Sequence, residues 1–128
     1  MPIILKVTLV TNEVGDTVVG VNDFTEIDIS GSDQLVYWRL GGNAETGSFH
    51  ALDDPDQPGF AWQDPPANGV FGRPRLMENG DLRVGVRHKG THSLGTFVYQ
   101  MWVRVGTKHY STDLAVARTA TNPAIINK

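Results

Sequence analysis

Along most of this chain apolar residues recur at every second position in short runs, and glycine, proline and asparagine cut one run from the next. A period of two places alternate side chains on opposite faces of an extended strand, whereas a helix needs apolar residues three and four apart. No amphipathic helix stands out. Ile3, Leu5, Val7 and Leu9 share one face of a first strand, and Thr17–Val21 reads as a second. Phe24–Ile29 follows, and Gln34–Leu40 is apolar on both faces, which suits a strand at the centre of a sheet. Leu82, Val84 and Val86 alternate with Arg83, Gly85 and Arg87, so that strand has one wet face. The longest run is Thr96–Val105, and Lys108–Thr112 returns beside it through a Gly106-Thr107 turn. Asn79-Gly80 reads as a two-residue hairpin turn, because both central positions of that turn type favour positive φ. Ala124-Ile125-Ile126 closes the chain as a last strand.

The middle breaks this pattern. Between Asp53 and Asn68 stand Pro55, Pro58, Pro65 and Pro66, together with Phe60 and Trp62. Proline cannot donate to a sheet ladder, so this segment reads as a long loop, and long loops in compact domains are disproportionately functional. About seven to nine short strands with such punctuation predict an all-β fold, an antiparallel immunoglobulin-like β-sandwich. At 128 residues the chain fits one domain over residues 1–128, long enough to bury a core without staples.

Composition removes several functions. There is no cysteine, hence no disulfide, thiol nucleophile, iron–sulfur cluster or blue-copper site. Eleven basic against fourteen acidic residues give a net charge of −3, which supplies no overall electrostatic footprint for nucleic acid or anionic membrane. Arg83, Arg87, His88 and Lys89 form a local basic group that reads first as a solvated strand face and loop rather than a phosphate site. Met1-Pro2 runs directly into Ile3-Ile4-Leu5 with no positively charged start, and no run approaches the length of a membrane helix; the cytoplasm is the expected location.

The candidate sites are few. His88 and His92 lie four apart in a loop and could share an ion with His50 or His109 as a third ligand. Asp53, Asp54, Asp56 and Asp64 could offer oxygens to calcium, but their spacing matches no calcium loop, and Asp-Pro pairs are ordinary turn formers. No nucleophile elbow or phosphate-cradling glycine motif is present. Gly85 within a strand reads as a bulge or a close-packed position. Trp38 and Trp102 read as core. Phe60 and Trp62 read first as folding back to plug one end of the sandwich; failing that, they are the residues expected to meet a ligand.

Phe97-Val98-Tyr99-Gln100-Met101-Trp102-Val103, Lys108–Asp113 and Asn122–Lys128 resemble the DP-EP family of small bacterial proteins. That resemblance covers about a quarter of the chain; it implies an immunoglobulin-like sandwich and carries no catalytic residue across. Gly95–Tyr99 has a looser likeness to cupredoxin-type domains, without the copper cysteine. The expectation is a non-enzymatic module that binds a protein or small ligand through Phe60 and Trp62, with no cofactor. The alternatives are a homo-oligomeric structural protein sharing Leu35–Leu40 between subunits, and a metal-dependent enzyme built on histidine and aspartate.

Overall fold

The computed structural model describes residues 3–12, 14–21, 26–29, 33–63, 70–87, 95–112 and 124–127. Among them are eleven strands: β1 Ile3–Thr11, β2 Thr17–Val21, β3 Glu26–Ile29, β4 Gln34–Leu40, β5 Ser48–Phe49, β6 Phe60–Trp62, β7 Arg75–Leu76, β8 Leu82–Val86, β9 Gly95–Val105, β10 Lys108–Ser111 and β11 Ala124–Asn127. The one helical element among the described residues is a 3₁₀ turn at Gly42–Ala44. The fold is all-β, as the period-two pattern requires.

Five strands form one sheet in the order β2-β1-β4-β8-β7. The second sheet is organised by β9, which pairs with β5, β6, β10 and β11, while β3 joins through β11. One cluster takes buried residues from both sheets, among them Val7, Val36, Trp38 and Val84 from the first and Tyr99, Met101, Val103 and Ile125 from the second. The alternation read in β8 is the alternation observed: Leu82, Val84 and Val86 are buried, while Arg83 and Gly85 face outward. A bridge between Val19 and Thr112 ties the sheets at one corner.

Three sequence expectations are corrected. Pairing is not wholly antiparallel: β1 runs parallel to β4, and β11 parallel to β3. The chain crosses to the second sheet at β3 before returning as β4, and a strand that returns by a crossover enters parallel. The Asn79-Gly80 turn is a three-residue loop. Met77 and Asp81 close it, the Gly80 N–H donates to the Met77 carbonyl at 3.0 Å, and Gly80 carries a positive φ of 93°. Phe60–Trp62 is a strand rather than loop, in register with Met101, Gln100 and Tyr99 of β9; no proline falls within those three residues. The β4–β8 register runs unbroken past Gly85, from Gln34↔Val86 to Trp38↔Leu82; on the other flank of β8 the four steps from Phe71 to Arg75 oppose three from Val86 to Arg83, so one extra residue is accommodated opposite Gly85.

Trp38 is fully buried at the centre of an aromatic chain. Its ring lies 5.2 Å from both Phe60 and Tyr99, Phe60 stacks on Tyr99 at 5.1 Å, and Trp62 continues the chain to Phe71 at 4.3 Å. The indole Nε1–H donates to the Tyr99 hydroxyl at 2.9 Å, which satisfies a polar group that burial would otherwise penalise. Burial pushes the Tyr99 pKa far above its ordinary value, so the hydroxyl remains protonated.

Below the three-residue hairpin loop, Asp81 is buried and ligated from several sides. Arg39 Nη2 donates to it at 2.8 Å and Nε at 3.1 and 3.2 Å; Asn79 Nδ2 donates at 3.2 Å. The Arg39 hydrogen bond, helped by Asn79, holds the Asp81 carboxyl below the usual carboxylate range against the opposing effect of burial. A depressed folded-state pKa adds stability that is complete above the ordinary aspartate range and is lost as pH falls through the folded-state value. Asp81→Asn is therefore expected to cost about 1–2 kcal/mol at neutral pH, and the difference from the parent should shrink in acid. Urea midpoints of both proteins at neutral and acidic pH measure this; a difference that grows on acidification would contradict it.

Candidate functional site: an arginine-lined cleft

Around the three-residue loop, residue pairing follows from the turn. Arg75 lies directly opposite Arg83, and Leu76 opposite Leu82. Further along, Phe71 bridges Val86, and the Gly72 N–H donates to the Gly85 carbonyl at 2.8 Å. On the other side of β8, Leu35 and Tyr37 of β4 face Gly85 and Arg83. The outer face of this sheet edge therefore carries arginines at 73, 75, 83 and 87 around a floor made by two glycines. They line a cleft of about 720 Å³ that also includes Gln34 and Asp33. This volume falls within the range of about 300–1,000 Å³ typical of small-molecule sites.

The glycine floor is not demanded by the backbone. Neither Gly72 nor Gly85 has a positive φ, and an added Cβ would meet its nearest neighbour at an ordinary 3.7 Å in each case. What the pair contributes is the absence of side chains, which opens the surface between the guanidinium groups. Among the described residues none of the four arginine side chains forms a hydrogen bond or ion pair. Like charges placed directly across a sheet, as Arg75 and Arg83 are, destabilise it unless an anion lies between them. The guanidinium fork suits bidentate contact with carboxylate or phosphate.

Arg83 and Arg87 belong to the basic group noted in the sequence; Arg73 and Arg75 were missed. The two-residue Asn79-Gly80 turn read from the sequence would set Arg75 against Val84, one register off; the three-residue loop observed is what sets it against Arg83.

The second sheet carries a different constellation. His50 follows β5 and His109 lies in β10, on opposite flanks of β9. His109 is level with Arg104, and the His50 N–H donates to the Trp102 carbonyl at 3.1 Å. Gly59 permits this placement, since a Cβ there would overlap the His50 carbonyl oxygen. The two rings meet at 2.7 Å between His109 Nδ1 and His50 Nε2. His50 Nδ1 lies 3.0 Å from the Gln57 carbonyl, and the ring packs 5.8 Å from Trp102. Partial burial holds the His50 pKa below its usual value; His109 and Arg104 add to this, while the Gln57 carbonyl and Asp54 oppose it.

The other sequence candidates are dispersed. Phe60 is 5% exposed and Trp62 half-buried; both pack into the aromatic chain, so Phe60 presents no open face and Trp62 a partial one. Asp54 caps its own turn, accepting from the backbone N–H groups of Asp56 at 3.0 Å and Gln57 at 2.8 Å. His88, His92 and Asp64 lie outside the described residues. Among the described residues no three histidine, aspartate or glutamate side chains converge as a metal cluster requires. β4 is paired on both edges, by β1 and β8, so Leu35–Leu40 has no free edge to share with a second subunit. No helix among the described residues is long and apolar enough to cross a membrane.

Compared with models of known protein families and with curated proteins, the chain matches none.

Proposed function

We propose that this protein is a non-enzymatic binding module whose ligand is a small polyanion, a molecule bearing two or more phosphate or carboxylate groups, held in the arginine-lined cleft. The observation that carries the proposal is the convergence of Arg73, Arg75, Arg83 and Arg87, unpaired among the described residues, around the Gly72–Gly85 floor. Several cations facing one open concavity attract an anion strongly, because guanidinium–oxyanion hydrogen bonds are roughly twice as strong as neutral ones. The module reading agrees with the sequence expectation, but its contact surface shifts from Phe60 and Trp62 to the outer face of β7 and β8. An immunoglobulin-like sandwich of the DP-EP type is the finer fold reading that goes with it, supported by two sheets sharing one core and by the C-terminal run Phe97–Val103. A cytoplasmic location remains part of the same proposal.

Isothermal titration with inorganic triphosphate, citrate and an uncharged disaccharide tests it. Saturable binding of either anion that weakens as salt rises, with no response to the sugar, is the expected result. Equal response to the sugar, or no binding of either anion at low salt, would overturn it.

A further inference from the structure

With both rings neutral, the His50–His109 pair has one consistent hydrogen-bond arrangement. A carbonyl oxygen only accepts, so His50 Nδ1 carries the proton it donates to Gln57. In the neutral ring that leaves His50 Nε2 as a lone-pair acceptor, and His109 Nδ1–H is the donor that meets it. A histidine whose one nitrogen donates to a backbone carbonyl while the other faces outward is oriented as metal-ligating histidines are. Trp102 packs against the same ring and restricts its rotation.

We infer that His50 Nε2 and His109 Nδ1 form a two-imidazole chelate for a late first-row divalent transition ion, with water completing the coordination. Two nitrogens each about 2.0–2.1 Å from one ion, at angles between a right angle and a tetrahedral one, stand about 2.9–3.4 Å apart. The observed 2.7 Å opens to that spacing by a few tenths of an ångström, and exposed His109, two residues past the Gly106-Thr107 turn, is placed to make the adjustment. The rearrangement balances: the proton on His109 Nδ1 leaves, Nε2 of the same ring takes one up, and the ion takes the shared position. The groups bearing on the pair are Asp54, which favours a cation, and Arg104, which disfavours one. The chelate lies on the second sheet and does not depend on the arginine cleft.

Copper(II) is the probe, since it binds nitrogen sites most tightly among these ions. The parent for the test is untagged protein carrying His88→Gln and His92→Gln, which removes the other two imidazoles. Its copper affinity and electron paramagnetic resonance spectrum are compared with those of the same protein further carrying His109→Gln, a change on an exposed hairpin. The expected result is a spectrum with two nitrogen ligands in the parent, and at least a tenfold loss of affinity with one nitrogen fewer in the variant. Unchanged affinity and spectrum would overturn the inference. His50→Asn, checked for fold by circular dichroism, should give the same loss. A folded His50→Asn protein that keeps the two-nitrogen spectrum would equally overturn it.

Discussion

Trp38→Ala is expected to destabilise the fold by about 3–5 kcal/mol, the usual cost of emptying a large aromatic site in a packed core. Trp38 is fully buried in β4, in contact with Phe60 and Tyr99 of the facing sheet. Its removal opens a cavity where the two sheets meet and leaves the buried Tyr99 hydroxyl without the indole N–H. Domains of this size have about 5–15 kcal/mol in total, so the variant should be marginal at room temperature. Tyr99→Phe separates the two contributions. It keeps the ring and removes only the hydroxyl, leaving the Trp38 N–H unpaired, for an expected loss of about 1–3 kcal/mol. Urea denaturation of the three proteins measures both, and a Trp38→Ala loss below that of Tyr99→Phe would contradict the placement of Trp38 at the core's centre.

The second large effect concerns binding rather than folding. Arg83 sits between Arg75 and Tyr37 and is the most enclosed of the four cleft arginines. Losing one charge-assisted contact costs about 1.5–3 kcal/mol, which corresponds to roughly a ten- to hundredfold fall in affinity. Arg83→Glu should weaken triphosphate binding by at least that much. It also places a carboxylate opposite Arg75, so the melting temperature without ligand should hold or rise. Loss of binding with stability retained distinguishes a recognition residue from a structural one. Gly85→Leu tests the floor independently: the space above Gly85 accepts a side chain, with Leu35 at ordinary contact distance, so the fold should persist while the cleft fills and binding falls. An anion affinity unchanged in both variants would remove the cleft from the account.

The strands were legible because their side chains alternate against a core. Leu5 and Val7 of β1 and Leu82, Val84 and Val86 of β8 point inward where period two puts them. β6 was hidden because the prolines flanking Phe60–Trp62 mask a pairing three residues long, and its partner lies far along the chain in β9. Parallel pairing of β1 with β4 has no local signal, since it follows from where the intervening strand crosses. The aromatic residues of the middle segment were visible as unusual, but whether a ring faces solvent or core is decided by tertiary packing, and Phe60 went to the core. The arginine cleft was half legible: Arg83 and Arg87 announce a wet face, and Arg75 joins them only when the hairpin register is drawn. His50 and His109 are separated by the whole of β6 to β9, and only the flanking of β9 by β5 and β10 brings them into contact.

Amide-resolved NMR during titration with inorganic triphosphate at low salt decides whether the arginine cleft is an anion site. Saturable shifts clustered at Gly72, Arg73, Arg75, Arg83 and Gly85, collapsing when salt is raised, are expected of an anion held there. Shifts confined to Asp53–Trp62, or to the His50–His109 pair, or absent altogether, would contradict it.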